Sequence, residues 1–148
     1  MKTLIDFLRQ IELFEGLDDD SLKLVAGICK SRSLKKEEVL AEEGSRGDAL
    51  YLVTRGFVAV VVGATNTRPE RVLVNLGVGQ LIGEMSLVDQ GPRSATLRAV
   101  VTPTEIQEIN YREFQRLCEQ NPHLGYYVMR NLAADLSFKI RHQNERGK

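Results

Sequence analysis

Gly83-Glu84-Met85-Ser86-Leu87-Val88-Asp89-Gln90-Gly91-Pro92-Arg93-Ser94-Ala95-Thr96 is the stretch on which the reading of this chain turns. It opens on a glycine, which lets backbone come close to a ligand. Glu84 then stands at the mouth of a short helical turn through Met85, Ser86 and Leu87. Gly91-Pro92 turns the chain, and Arg93-Ser94-Ala95 opens the next strand. The spacing from Glu84 to Arg93 leaves room for a one-turn helix and a loop, so both side chains can fold toward one pocket. Such a pocket combines converging backbone N–H groups, a forked guanidinium matched to a phosphate-type anion and a carboxylate able to accept from a hydroxyl. Charge-assisted hydrogen bonds contribute about 1.5–3 kcal/mol each. Two of them, with several amide contacts and burial of an apolar ring, approach the roughly 8 kcal/mol of a micromolar complex.

Outward from this stretch the pattern is that of a β-roll. From Leu34 to about Ile109, short apolar runs are cut by Gly, Pro, Asn and Asp. Ala49–Val53, Phe57–Val62, Val72–Val74, Ala95–Val101 and 105–109 are such runs. Turns are expected at Glu43-Gly44, Arg46-Gly47-Asp48, Arg55-Gly56, Gly63 to Pro69, Gly77 to Gly79 and Thr102-Pro103. This predicts a mainly β fold, a double-stranded β-helix or jelly roll of about eight strands. Helices flank it. Thr3 to Leu13 has roughly helical apolar spacing, broken by Gly16. Asp18 to Asp20 reads as the N-terminus of a second helix, which is expected to end near Ser31. Tyr111 to Glu119 forms a third, with Phe114, Leu117 and Cys118 on one side. Asn121-Pro122 starts a long last helix, where Leu124, Val128, Leu132, Leu136 and Ile140 step down one face. One domain over 1–148 is expected: helices over 1–31, the roll over 32–110 and helices over 111–148.

Bulk properties narrow the function. The 148 residues carry 20 Lys+Arg and 20 Asp+Glu. A net charge of zero argues against binding dominated by nucleic-acid phosphates and leaves room for one local anion site. The two cysteines, Cys29 and Cys118, match no metal spacing and read as reduced thiols of a cytoplasmic protein. The N-terminus lacks the uncharged core and cleavage site of a signal peptide, and no apolar run is long enough to span a membrane. The only histidines, His123 and His142, lie in the terminal helices, away from any cupin-like metal cluster. A nucleophile elbow, a CxxC pair and a triphosphate-binding loop are all missing, so the chain reads as a non-enzyme without metal.

Gly83–Leu87 followed by Pro92–Ala99 resembles the phosphate-binding cassette of the cyclic nucleotide-binding domain family. That family includes bacterial catabolite activators, protein kinase A regulatory subunits and cyclic-nucleotide-gated channels. Phe14–Leu17 is similar to the family's entry turn, and Glu42–Gly44 with Asp48–Gly56 to its second, glycine-punctuated hairpin. The resemblance covers nearly the whole chain. It implies that Gly83, Met85 and Ser86 contribute to the ligand site through main chain or hydroxyl. It implies that Glu84 holds a ribose 2′-hydroxyl, that Arg93 binds an exocyclic phosphate oxygen and that Ser94 and Ala95 add donors. Leu73 and Ile82 would form an apolar wall, and Leu136 or Ile140 would cap the base.

The expected ligand is cAMP ahead of cGMP, on whole-chain likeness. The activators' adenine-contacting hydroxyls find no counterpart near Lys139-Ile140-Arg141. Ser94 is compatible with either purine. The resemblance further implies a sensor that signals to an effector protein, as yet unknown, by moving its C-terminal helix, and a homodimer through that helix. Residues 1–148 leave no stretch for a helix-turn-helix after the long last helix, so DNA binding by this chain is not expected. The alternatives are a β-roll interaction module that has lost its nucleotide and the excised sensor domain of a transcription regulator. Taken alone, Glu84 and Arg93 could also be a surface ion pair of little energetic weight.

Overall fold

The computed structural model describes residues 3–63, 67–84, 86–89 and 91–146. Met85, expected in the site, lies outside the described residues, as do Gln90 of the cassette and the middle of the turn expected from Gly63 to Pro69. The chain divides into two compact units. One comprises residues 28–113, the other residues 1–27 together with 114–148.

The first unit is the β-roll. Among the described residues it holds eight strands: β1 (Cys29–Leu34), β2 (Val39–Ala41), β3 (Ala49–Arg55), β4 (Val58–Val62), β5 (Arg71–Leu76), β6 (Leu81–Ile82), β7 (Thr96–Ala99) and β8 (Thr104–Asn110). They form two antiparallel four-stranded sheets, ordered β1-β8-β3-β6 and β2-β7-β4-β5. This is the expected jelly roll. Consecutive strands fall in different sheets at several points, so the cassette between β6 and β7 bridges one sheet to the other. Leu34, Tyr51, Val53, Val58, Ile82, Leu97, Ala99 and Ile106 form a buried cluster fed by both sheets. Burial of each large apolar side chain there contributes about 1.5–3 kcal/mol. In β3 every residue from Ala49 to Val53 is buried, so its pattern is a continuous apolar run. β5 is the opposite case. It pairs only with β4, and Val72, Leu73 and Val74 are each about half exposed.

The second unit contains α1 (Leu4–Arg9), a 3₁₀ turn (Glu12–Phe14), α2 (Asp19–Gly27), α5 (Pro122–Arg146) and most of α4 (Tyr111–Gln120). A capping box between Thr3 and Asp6 starts α1. The Ser21 amide donates to the Asp18 carboxylate at 2.8 Å, so Asp18 caps α2. Phe14 packs on Phe114 with ring centroids 6.1 Å apart, and the Asn131 amide donates to the carbonyls of Leu13 and Glu15.

Two local expectations are corrected. The helix expected over Thr3 to Leu13 is split: α1 stops at Arg9, Ile11 is extended, and a 3₁₀ turn follows. The second helix ends at Gly27 rather than near Ser31, and the chain is already a strand from Cys29. Gly27 is the physical reason, since glycine disfavours helix continuation. Pairing of Cys29–Leu34 with β8 then fixes the extended form.

Candidate functional site

Arg93 is held through both its backbone and its side chain. Its backbone N–H donates to the Ser45 carbonyl at 2.8 Å, and its own carbonyl accepts from the Gly44 N–H at 2.7 Å. A bridge between Arg46 and Pro92 extends this pairing. The loop before β3 therefore pins Arg93 in the segment that leads into β7. The side chain is fixed as firmly. Nη2 donates to the Ala49 carbonyl at 2.6 Å, and the guanidinium carbon lies 5.3 Å from the centroid of the Tyr51 ring. Gly47 makes room for it: a Cβ there would fall 2.5 Å from Arg93 Nε and 2.7 Å from Cζ. Glycine is needed at that position because the guanidinium occupies the space a side chain would take.

One donor of this fork has no partner. Arg93 Nε is buried and makes no hydrogen bond. A buried unpaired donor on a cation is costly, and buried polar groups are normally satisfied.

The glycine end of the cassette meets the same point. Gly83 has φ +91°, a conformation that a side chain would strain. A Cβ on Gly83 would also lie 3.0 Å from both Arg93 Nη1 and the Tyr111 hydroxyl oxygen. Ser86 N–H donates to the Gly83 carbonyl at 3.2 Å, and Leu87 N–H to the Glu84 carbonyl at 3.2 Å, opening the single-turn helix α3 (Ser86–Asp89). Tyr111 O–H donates to the Gly83 carbonyl at 2.6 Å. Burial pushes the Tyr111 phenol above its ordinary pKa of 10.0; hydrogen bonds from Ser86 and Arg93 and the Arg93 charge oppose this, while the Glu84 carboxylate adds to it. The Tyr111 hydroxyl thus binds the Gly83 carbonyl beside Ser86 and Arg93, within the electrostatic reach of Glu84.

The other expected residues are placed as follows. Ala95 is buried and Ser94 exposed; both lie in the bend before β7, which begins at Thr96 and not at Arg93 as expected. Ile82 is buried in the core cluster and pairs with Tyr51, whereas Leu73 lies half exposed on β5. Leu136 and Ile140 are on α5 in the other unit, the first half-buried and the second 56% exposed. Three contributors escaped the sequence reading: Tyr51, Tyr111 and the Ala49 carbonyl. Both tyrosines read there as ordinary strand and helix residues, and nothing in their spacing points to Arg93. Among the described residues, no group of three or more His, Cys, Asp or Glu is placed to hold a metal ion.

The profile of the cyclic nucleotide-binding domain matches residues 31–121. The chain belongs to the cyclic nucleotide-binding domain family. The match takes in both sheets, the cassette and α4. Among family members, the cyclic AMP receptor protein of Thermus thermophilus is 35% identical over 129 residues, covering 87% of this chain and 57% of that protein. The chain thus spans a little under three-fifths of the length of the curated receptor relatives it matches. The N-terminal domain of a transcriptional regulator from Streptomyces coelicolor superposes with a TM-score of 0.83 at 29% identity, covering 97% of this chain and 96% of that one. The regulatory domain of Toxoplasma gondii PKA, solved with cAMP, superposes at 0.70 with 29% identity, over 77% of this chain and 42% of that one.

Proposed function

We propose that this cyclic nucleotide-binding domain is a non-catalytic sensor whose ligand is cAMP ahead of cGMP. The observation that carries the reading is the buried, unpartnered Nε of Arg93, on a guanidinium already oriented by Ala49, Tyr51 and Gly47. Arg93 would take the exocyclic phosphate oxygen and Glu84 the ribose 2′-hydroxyl. Amides of Gly83, Met85, Ala95 and Ser94 would complete the anion cradle, with Ser86 adjoining it. Ile82 and Leu73 would flank the apolar part of the ligand. The preference for cAMP is supported by relatives, a cyclic AMP receptor protein and a regulatory domain solved with cAMP. No metal is assigned to the site.

The output is proposed to run through α5. Its stripe divides: Leu124, Val128 and Leu132 are buried, while Leu136 is half-buried and Ile140 exposed. Leu136 or Ile140 is therefore free to serve as a base cap or a contact. A second face of the helix carries Tyr126, Met129, Ala133, Leu136 and Ile140 at alternating three- and four-residue steps. Tyr126 is 61% exposed and Met129 37%. That heptad-like spacing supports a homodimer through α5. Residues 1–148 are read as one sensor module of the cytoplasm, passing its state to an effector protein, with no DNA contact assigned to them. Among the described residues, no helix is long and apolar enough to cross a membrane.

Isothermal titration of the protein with cAMP and with cGMP tests the reading. Micromolar binding of cAMP is expected, with Arg93→Ala lowering affinity roughly a hundredfold or more. Absence of heat with either nucleotide at high micromolar ligand would leave a β-roll interaction module instead.

A further inference from the structure

Resting on the cyclic nucleotide reading above, we infer that Tyr111 is a positioning residue of the anion site, acting through the Gly83–Glu84 peptide and the Arg93 guanidinium. A phenol oxygen has one hydrogen to donate and two lone pairs to accept with. Here the hydrogen goes to the Gly83 carbonyl at 2.6 Å. A Cβ on Gly83 would fall 3.0 Å from both this oxygen and Arg93 Nη1, so the phenol and the guanidinium meet at the same glycine. The ring is itself anchored, because the Tyr111 N–H donates to the Asp48 carbonyl at 2.9 Å. Asp48 directly precedes Ala49, whose carbonyl holds the Arg93 fork.

The consequence follows from peptide geometry. In a trans peptide the C=O and the following N–H point in opposite directions. Holding the Gly83 carbonyl toward Tyr111 therefore aims the Glu84 N–H to the other side. The Ser86 N–H holds the same carbonyl from within the turn at 3.2 Å, and the hydroxyl holds it at 2.6 Å from β8's end, across the cassette. The buried phenol remains a neutral donor throughout the ordinary pH range. Tyr111 thus sets one amide and stands beside the Arg93 guanidinium, and both would act on the phosphate and ribose rather than on the base.

Tyr111→Phe keeps the ring and removes only the oxygen. The variant is compared with the unmodified protein by calorimetric titration with cAMP and cGMP. Thermal denaturation and backbone amide NMR of the ligand-free proteins accompany it. Affinity is expected to fall about tenfold for both nucleotides alike, the loss of one well-placed hydrogen bond. In the ligand-free spectrum the Gly83 and Glu84 amides are expected to shift, while those of Gln107 and Ile109 in β8 stay in place. Affinity within twofold of the unmodified protein overturns the inference, and so does a loss confined to one nucleotide, which would mark a base contact. A lowered melting temperature with intact affinity also overturns it, as a purely structural role. If the unmodified protein binds neither nucleotide, the sensor reading fails separately. The positioning role is then decided by the ligand-free spectrum, where unmoved Gly83 and Glu84 amides overturn it.

Discussion

The cassette and α5 are ordered by different physics. α5 is ordered by repetition: Leu124, Val128 and Leu132 recur at one spacing and disappear together into the core of their unit. The cassette is ordered by single contacts to distant parts of the chain. Arg93 answers to Ser45, Gly47, Ala49 and Tyr51, and Gly83 answers to Tyr111. Loss of one apolar contact in a repeated stripe therefore lowers stability in proportion to the area lost. Loss of one cassette contact misdirects a donor and lowers affinity while the fold persists.

That contrast can be broken by substitution. Leu132→Ala removes a side chain that is only 3% exposed and is expected to cost about 2–5 kcal/mol in chemical denaturation. Ile140→Ala, on the open end of the same stripe, is expected to change monomer stability by no more than about 0.5 kcal/mol. Equal costs at the two positions would show that the stripe is covered along its whole length. Gly47→Ala inserts a methyl into the guanidinium's space and is expected to lower cAMP affinity about tenfold, about 1.4 kcal/mol, with little change in melting temperature. A large drop in melting temperature there would move Gly47 from the site into the core. Tyr51→Leu removes the ring beneath Arg93 and is expected to lower affinity by about 1 kcal/mol, read by the same titration.

The smallest effect is at the α2 cap. The Ser21 backbone hydrogen bond, joined by the Ser21 side chain, holds the Asp18 carboxyl below its ordinary 3.8. A depressed folded-state pKa gives stability that is fully present above 3.8 and is lost as pH falls through the lower, folded value. The melting-temperature gap between the unmodified protein and Asp18→Ala is therefore expected to be widest at neutral pH and to narrow in acid. A gap independent of pH would contradict the cap.

The same contrast explains what the sequence disclosed. The roll was legible because Gly and Pro punctuate its apolar runs, and the C-terminal helices because Asn121-Pro122 and the four-residue step mark them. The glycine-proline frame set Gly83, Glu84, Ser86 and Arg93 out as a group, and the fold brings Gly83 and Arg93 to the Tyr111 hydroxyl. The end of α2 was misplaced because apolar Ile28 and Cys29 fit a helical face as well as a strand. Gly27 was the signal that separated the two. Tyr51 and Tyr111 could not be found from pattern. Each sits where a strand or helix accepts any aromatic, and its role exists only through a residue far along the chain. The split of the α5 stripe was equally hidden, since spacing fixes a face but not what lies against it.

The central claim is that Arg93 Nε is a donor held without an acceptor until a cyclic nucleotide arrives. Arginine-selective ¹H–¹⁵N NMR reads that group directly, with Arg93→Lys identifying its signal by loss. On titration with cAMP, the Arg93 Nε–H resonance is predicted to move downfield and to become protected from solvent exchange, as a new hydrogen bond forms. Binding of cAMP with that resonance unmoved would contradict the account.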